Sequence, residues 1–345
     1  MFLHNASSNM RANVGNPVNI LLFGAGSVGA VHLYQFQRAG CRVTAVCRSN
    51  YDAVKRDGFT LISKRFGNVK FRPEHVVRKA EDCPKDVSYD YIFVASKSFP
   101  GTQPLLSDMI RPVMRSHTVV VLAQNGIAIE DEVAQVYPDN PLLSCAVYMP
   151  ATQTDQGVIH YPEMLNLLEI GTFPADAPPP HKEAATRLAD LVVAGGGQAE
   201  VHDDIQIARW SKLLLNGAWN PICALSMCTD GDFLGTSAHA YDLVWTVMLE
   251  IIALAKRIGI PGIDEKVAEQ KLSIAKRRSE TGQGRAISML QDIQQGRLFE
   301  IEAIVGNTVR LGREHGVQMP LTEALYALGK ARFDAMVREQ NARRG

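Results

Sequence analysis

The 345-residue chain lacks a dominant charge: 36 basic residues stand against 36 acidic ones. That balance excludes the broad positive field by which proteins gather nucleic acid or anionic membranes. Basic pairs do occur at Arg277–Arg278 and Arg343–Arg344, and both read as solvated helix faces. Cysteine is scarce, at six residues, with no C-x-x-C pair and no metal-ligand spacing, which removes zinc ribbons and disulfide scaffolds. Several of these thiols sit in apolar runs, the pattern of buried cysteine in a reducing, cytoplasmic compartment. No apolar run approaches the roughly 20 residues of a membrane span. Residues 1–16 have no apolar segment followed by a cleavage site, so they read as a loose leader and not a signal peptide. Internal repeats and low-complexity tracts are missing too. The composition left is ordinary for a globular protein, 46% hydrophobic and 21% charged, in a chain long enough for two domains.

Strands and helices alternate through the first half. Val18–Phe23 is a short apolar run, "GAGSVGAVHLYQFQRAG" a glycine-opened helix, and "CRVTAVCRS" a second strand. Further strands follow at 90–96 and 118–126, with helical sequence such as 102–115 between them. This rhythm predicts a parallel, doubly wound sheet. From Cys145 to Thr172 the runs shorten and alternate, which predicts antiparallel strands added at the sheet's edge. "PADAPPP" (174–180) has the look of a linker, but a helix at 182–194 and the strand-like "QAEVH" continue the same texture. The domain boundary falls instead at Asp203–Asp204, where acids open a long helix. Beyond it every segment reads as helix: 205–220, 237–258, 263–279, 288–296, 300–315 and 321–342. The expected fold class is α/β, with a Rossmann-type, nucleotide-binding domain over 17–203 and an all-helical substrate domain over 204–345.

Gly24-Ala25-Gly26-Ser27-Val28-Gly29 is a G-x-G-x-x-G. Alone it is weak, since such glycines also occur in ordinary turns. A strand before it, a helix after it and a second strand beyond give it the context of a dinucleotide site. The glycines permit a tight turn, approach of the backbone to a pyrophosphate, and close helix–strand packing. The helix N-terminus then offers free N–H groups to the phosphates. At the end of the second strand, NAD sites place an acid for the ribose 2′-hydroxyl. Here Arg48 stands there and 44–51 holds no acid. A guanidinium suits a 2′-phosphate, which points to NADP(H); a solvated loop arginine is the bland alternative.

"WSKLLLNGAWN" (210–220) carries a second signal. Lys212, Asn216 and Asn220 recur every four residues, so they stack on one helical stripe among leucine and tryptophan. One such lysine would be a solvated face, but three polar groups in that company are too costly for plain core. Burial among leucines and Trp210 should lower the lysine's pKa towards neutrality, which fits a proton donor to a ketone under reduction. The asparagines offer donors and acceptors to a small substrate. Pro221 should bend or end the helix.

Taken in order, G-A-G-x-x-G, Arg48, "SK" at 96–97, "QNG" at 124–126, Lys-x-x-x-Asn-x-x-x-Asn, "SMLQD" at 288–292 and "EIEAIVG" at 300–306 resemble the ketopantoate reductase (2-dehydropantoate 2-reductase) family. Each motif has modest specificity; the ordered set, spanning Asn19 to about Ala331, is strong. The resemblance implies NADPH-dependent reduction of ketopantoate to pantoate, a step of pantothenate and coenzyme A synthesis. By the same resemblance Lys212 is the general acid, and Asn125 bonds the reacting oxygen or the nicotinamide. Asn216 and Asn220 hold substrate hydroxyls. Ser288 takes the substrate carboxylate (or merely caps a helix), Glu300 bonds near the cofactor ribose and Lys212, and Lys97 lies near the cofactor. Two features depart from the family's pattern: Glu163, where small residues are usual, and the leader. Alternatives are a reductase of another branched 2-oxo acid and a nucleotide sensor without turnover. Of partners, a small 2-oxo acid and a second copy of the chain are expected, with no nucleic acid and no membrane.

Overall fold

Short apolar runs build the centre of the molecule, which the computed structural model describes for residues 16–343; of the leader read at 1–16, only Asn16 falls inside that range. β1 (Asn19–Phe23), α1 (Ser27–Arg38) and β2 (Arg42–Val46) form the opening unit. Then come α2 (Tyr51–Asp57), β3 (Phe59–Ser63), β4 (Gly67–Phe71) and β5 (His75–Val77). β6 (Tyr91–Val94), α3 (Leu106–Ile110), β7 (Val119–Leu122) and α4 (Asp131–Val136) follow. β8 (Leu142–Tyr148), β9 (Thr152–Asp155), β10 (Val158–Tyr161), β11 (Leu167–Thr172), α5 (Pro179–Ala194) and β12 (Gln198–Val201) complete the first half.

The main sheet runs β12-β11-β8-β7-β6-β1-β2-β5. Its pairs are parallel except β8 with β11. β6 and β7 are buried at every residue and β1 at all but its first, as strands covered on both faces must be. Strand order reverses between β1 and β6, which opens a crevice beyond their C-terminal ends. That crevice is where the site forms.

Two expectations for this half need correction. Only β8 and β11 of the 145–172 segment join the main sheet; β9 and β10 pair with β3 and β4 in a second sheet, β4-β3-β10-β9. The segment expected as one helix over 102–115 shortens to α3 and a 3-10 turn at Arg111–Val113. Pro104 and Pro112 supply no N–H to continue a helix.

The second half is helical: α6 (Ile205–Ser226), α7 (Asp230–Leu234), α8 (Ala238–Ile258), α9 (Glu265–Thr281), α10 (Ser288–Gln294), α11 (Asn307–Glu314) and α12 (Pro320–Ala342). A π-helical turn at Glu302–Gly306 leads into α11. Asp204 caps α6 by accepting from the Gln206 N–H at 2.9 Å. Contrary to expectation, α6 does not end at Pro221. The proline removes only the bond to the Gly217 carbonyl, while buried Trp219, Ile222 and Cys223 anchor both sides of it. α8 is long and apolar enough to cross a membrane by composition alone, yet Val244, Val247, Met248, Ile251 and Leu254 are buried in the helical core. Buried Glu250 on α8 caps α12, accepting from the Leu321 and Thr322 N–H groups at 3.0 and 2.8 Å.

Candidate active site

Each parallel strand of the main sheet hands the chain to a loop at the same edge. β1 leads into the glycine turn, β6 into Ser96–Ser98, β7 into Gln124–Gly126, and β8 ends at Val147–Tyr148. α6 lies against the ends of β7 and β8. The site is therefore built from strand termini, one face of α6, the start of α10 and Glu300.

The glycine turn is shaped for close approach. Gly24 has φ +100°, and a Cβ there would lie 2.3 Å from the Ser96 backbone nitrogen. A Cβ on Gly29 would meet the Gly24 carbonyl oxygen at 2.2 Å. Gly26, by contrast, faces open space: a Cβ would find nothing within 4 Å. This glycine also precedes α1, whose start has no side-chain cap and no acid in its first turn. Free N–H groups beside an open concavity fit a dinucleotide's pyrophosphate. Ala25, Ser27 and Val28 complete the turn, and Asn50 pins it by donating to the Ala25 carbonyl at 2.8 Å. Arg48 is exposed two residues past β2. The nearby acid Asp52 is engaged by Arg78 at 2.7 Å and not by Arg48.

Lys212 points from α6 to the strand ends. Its Nζ donates to Asn125 Oδ1 at 2.9 Å and to the Val147 carbonyl at 2.6 Å, with the Tyr148 ring 5.2 Å away. Asn125 Nδ2 in turn donates to Glu300 Oε2 at 3.2 Å, and Glu300 Oε1 accepts from the Ser98 N–H at 2.9 Å. Burial lowers the Lys212 pKa to about 8, helped by the charge of Arg209 and opposed by Glu300 and Glu169. Burial also raises the Glu300 carboxyl, against the pull of Lys97. An ammonium with a lowered pKa, held by an amide that a carboxylate fixes in turn, can present a proton to an oxygen at this edge.

The remaining residues sit less simply. Asn216 lines the small pocket in front of Lys212. Asn220, expected to meet substrate directly, is fully buried, and its Oδ1 accepts from Ser288 Oγ at 2.9 Å and from the Met289 N–H at 3.1 Å. The N–H demands an acceptor, which fixes the amide's orientation and leaves Nδ2 as the unpartnered end. Asn220 thus does the capping offered as the alternative role of Ser288, while Ser288, an exposed residue of α10, gives its O–H to Asn220. Asn220→Ala should lower unfolding stability by about 1–3 kcal/mol, since it orphans a buried N–H; urea or thermal melts would show it. Lys97 donates to Asp292, which also binds Arg297 at 2.9 Å. Its ammonium is thereby tied across to α10. Glu163 lies 3.2 Å from Arg285, and both side chains are partly exposed.

Sequence reasoning missed Arg209, Glu130 and Asp292. Arg209 is buried and pairs at 3.2 Å with Glu130, which is wholly buried. A signal was available, because Arg209 extends the 212–216–220 stripe by one turn.

Comparison with known proteins gives the family. Residues 20–175 match the model described as "Ketopantoate reductase PanE/ApbA", and 204–333 match its C-terminal counterpart. The chain belongs to the ketopantoate reductase family. A 2-dehydropantoate 2-reductase of Mesorhizobium japonicum is 30% identical, over 90% of this chain and 96% of the relative. The crystal structure of 2-dehydropantoate 2-reductase from Methylococcus capsulatus superposes with a TM-score of 0.80 at 31% identity, covering 92% of this chain and 98% of that one. D-mandelate dehydrogenase in a ternary structure with NADH and anilino(oxo)acetate also shares the fold, with TM-score 0.80, 22% identity and 92% and 99% coverage. The same fold thus occurs in proteins named for different substrates.

Proposed function

We propose that this family member is an NADPH-dependent reductase of a branched 2-oxo acid, ketopantoate before others. The observation that carries the reading is the chain Lys212–Asn125–Glu300 at the sheet's C-terminal edge. A nucleotide sensor without turnover has no use for such a chain. A reduced nicotinamide dinucleotide, held at the glycine turn by its pyrophosphate, would supply a hydride. The protein's part is then positioning and proton delivery. Arg48 would hold a 2′-phosphate, and Gly24–Gly29 would take the pyrophosphate. Ser288, exposed on α10, would turn its O–H from Asn220 Oδ1 to the substrate carboxylate, and Asn216 would bond a hydroxyl. Lys212 Nζ would give its proton to the carbonyl oxygen as negative charge develops there, and Asn125 would keep the ammonium aimed.

The alternative is a reductase of another 2-oxo acid, left open because the 2-dehydropantoate 2-reductase relative is only 30% identical. Measuring kcat/KM with NADPH for ketopantoate, phenylglyoxylate and straight-chain 2-oxo acids separates these readings. Ketopantoate should rank first. A larger value for phenylglyoxylate would move the assignment to an aryl 2-oxo acid, and no turnover with any of them would remove the reductase reading.

A further inference from the structure

The pair beneath the catalytic loop is built where an apolar pair would be cheaper. Arg209 on α6 is 4% exposed and Glu130 is 0% exposed. Two charges taken out of water rarely gain more than well-packed apolar side chains of the same size, so their geometry needs a reason. The guanidinium supplies one. Nη1 donates to the Cys145 carbonyl at 2.7 Å and to the Gln124 carbonyl at 3.3 Å, while Nη2 donates to the Gly126 carbonyl. Gln124 and Gly126 flank Asn125. Arg209 therefore clasps the backbone on both sides of the residue that aims Lys212.

Two further contacts make the clasp directional. Gly126 has φ +100°, and a Cβ there would lie 2.3 Å from the Ala303 carbonyl oxygen, so the loop is pressed against the π-helical turn from the other side. Glu130 holds the guanidinium by charge, its Oε1 3.2 Å from Arg209 Nε, and that oxygen accepts hydrogen bonds from Ser144 Oγ at 2.6 Å and Gln206 Nε2 at 3.1 Å. Burial alone would raise that carboxyl, but Arg209, Ser144 and Gln206 together reverse the shift. Glu130 stays ionised and Arg209 stays put.

We propose that Arg209, held by Glu130, is a positioning residue that clasps the Gln124 and Gly126 carbonyls so that Asn125 is fixed between Lys212 and Glu300. The inference rests on the reading of Lys212 as proton donor. A lysine would keep the charge but could not fork to three carbonyls. The charge has its own effect, since Arg209 lies one helical turn before Lys212 and repels its ammonium. The other charged groups facing Lys212 are Glu300, Glu169 and Lys271, which remain in every variant below.

Three variants test this, each checked by its melting curve: Arg209→Lys, the neutral pair Arg209→Met with Glu130→Gln, and Lys212→Ala as reference. The readouts are kcat and KM on the best 2-oxo acid, and the Lys212 titration followed by NMR of labelled lysine Cε. Expected for the neutral pair is a 10- to 100-fold loss of kcat, with KM for NADPH unchanged and the Lys212 titration moved up from about 8. Arg209→Lys should lose kcat comparably while Lys212 titrates near its parental pH, because the charge survives and the clasp does not. If both variants fold and keep kcat within twofold while Lys212→Ala loses it, the clasp is only structural and the proposal fails. Retained activity in Lys212→Ala itself would instead remove the reading on which the proposal stands.

Discussion

Lys212→Ala is expected to lose between about 10² and 10⁴ in kcat while its KM values change little. The proton reaches the carbonyl oxygen only as charge builds there, so the contribution belongs to the transition state and not to binding. The pH dependence carries the sign. Lys212 acts in its protonated form, and burial with Arg209 has brought its pKa down to about 8. The rate of reduction should therefore be level below that pH and fall as pH rises through it. Lys212→Ala should lack this limb, because no ammonium remains to titrate. Steady-state kinetics from pH 6 to 10 with both proteins would read both effects; a parental kcat in the variant would end the assignment.

Arg48→Ala is expected to weaken NADPH about ten- to a hundredfold and to leave NADH nearly untouched. A charge-assisted pair with the 2′-phosphate contributes roughly 1.5–3 kcal/mol, and NADH has no such phosphate to lose. The structure bears on this through Asp52, whose carboxylate is occupied by Arg78 and leaves Arg48 exposed. Cofactor titration by fluorescence would separate the outcomes. Equal losses for the two cofactors would make Arg48 a structural residue.

The β-α-β rhythm and the helical second half were legible because their signals are local. Runs such as Ile20–Phe23 and Val119–Leu122 have one apolar pattern with one physical solution, a strand covered on both faces. The second sheet was not legible, because β4 (Gly67–Phe71) is half-exposed and its sheet is completed by β9 and β10 about ninety residues away. Helix α6 ran through Pro221 because tertiary packing around Trp219 and Ile222 outweighed one missing bond. At the site, chemistry-bearing residue types in a stripe pointed to Lys212 and Asn216 directly. Asn220 was placed on the right stripe, but its role depends on Met289, a contact that no spacing encodes. Arg209 could have been found from the same stripe, but Glu130, 79 residues earlier in the chain, could not. Asp292 was hidden in the same way, since its partner Lys97 is 195 residues distant.

One measurement tests the central claim most directly: a single turnover in which the protein, loaded with one equivalent of NADPH, is mixed with ketopantoate and the reduced cofactor is followed by absorbance. The account predicts full oxidation of the bound cofactor in a single phase, slowed at least about a hundredfold in Lys212→Ala although that variant still binds NADPH. No oxidation by the parent protein, or the same rate in both, would contradict it.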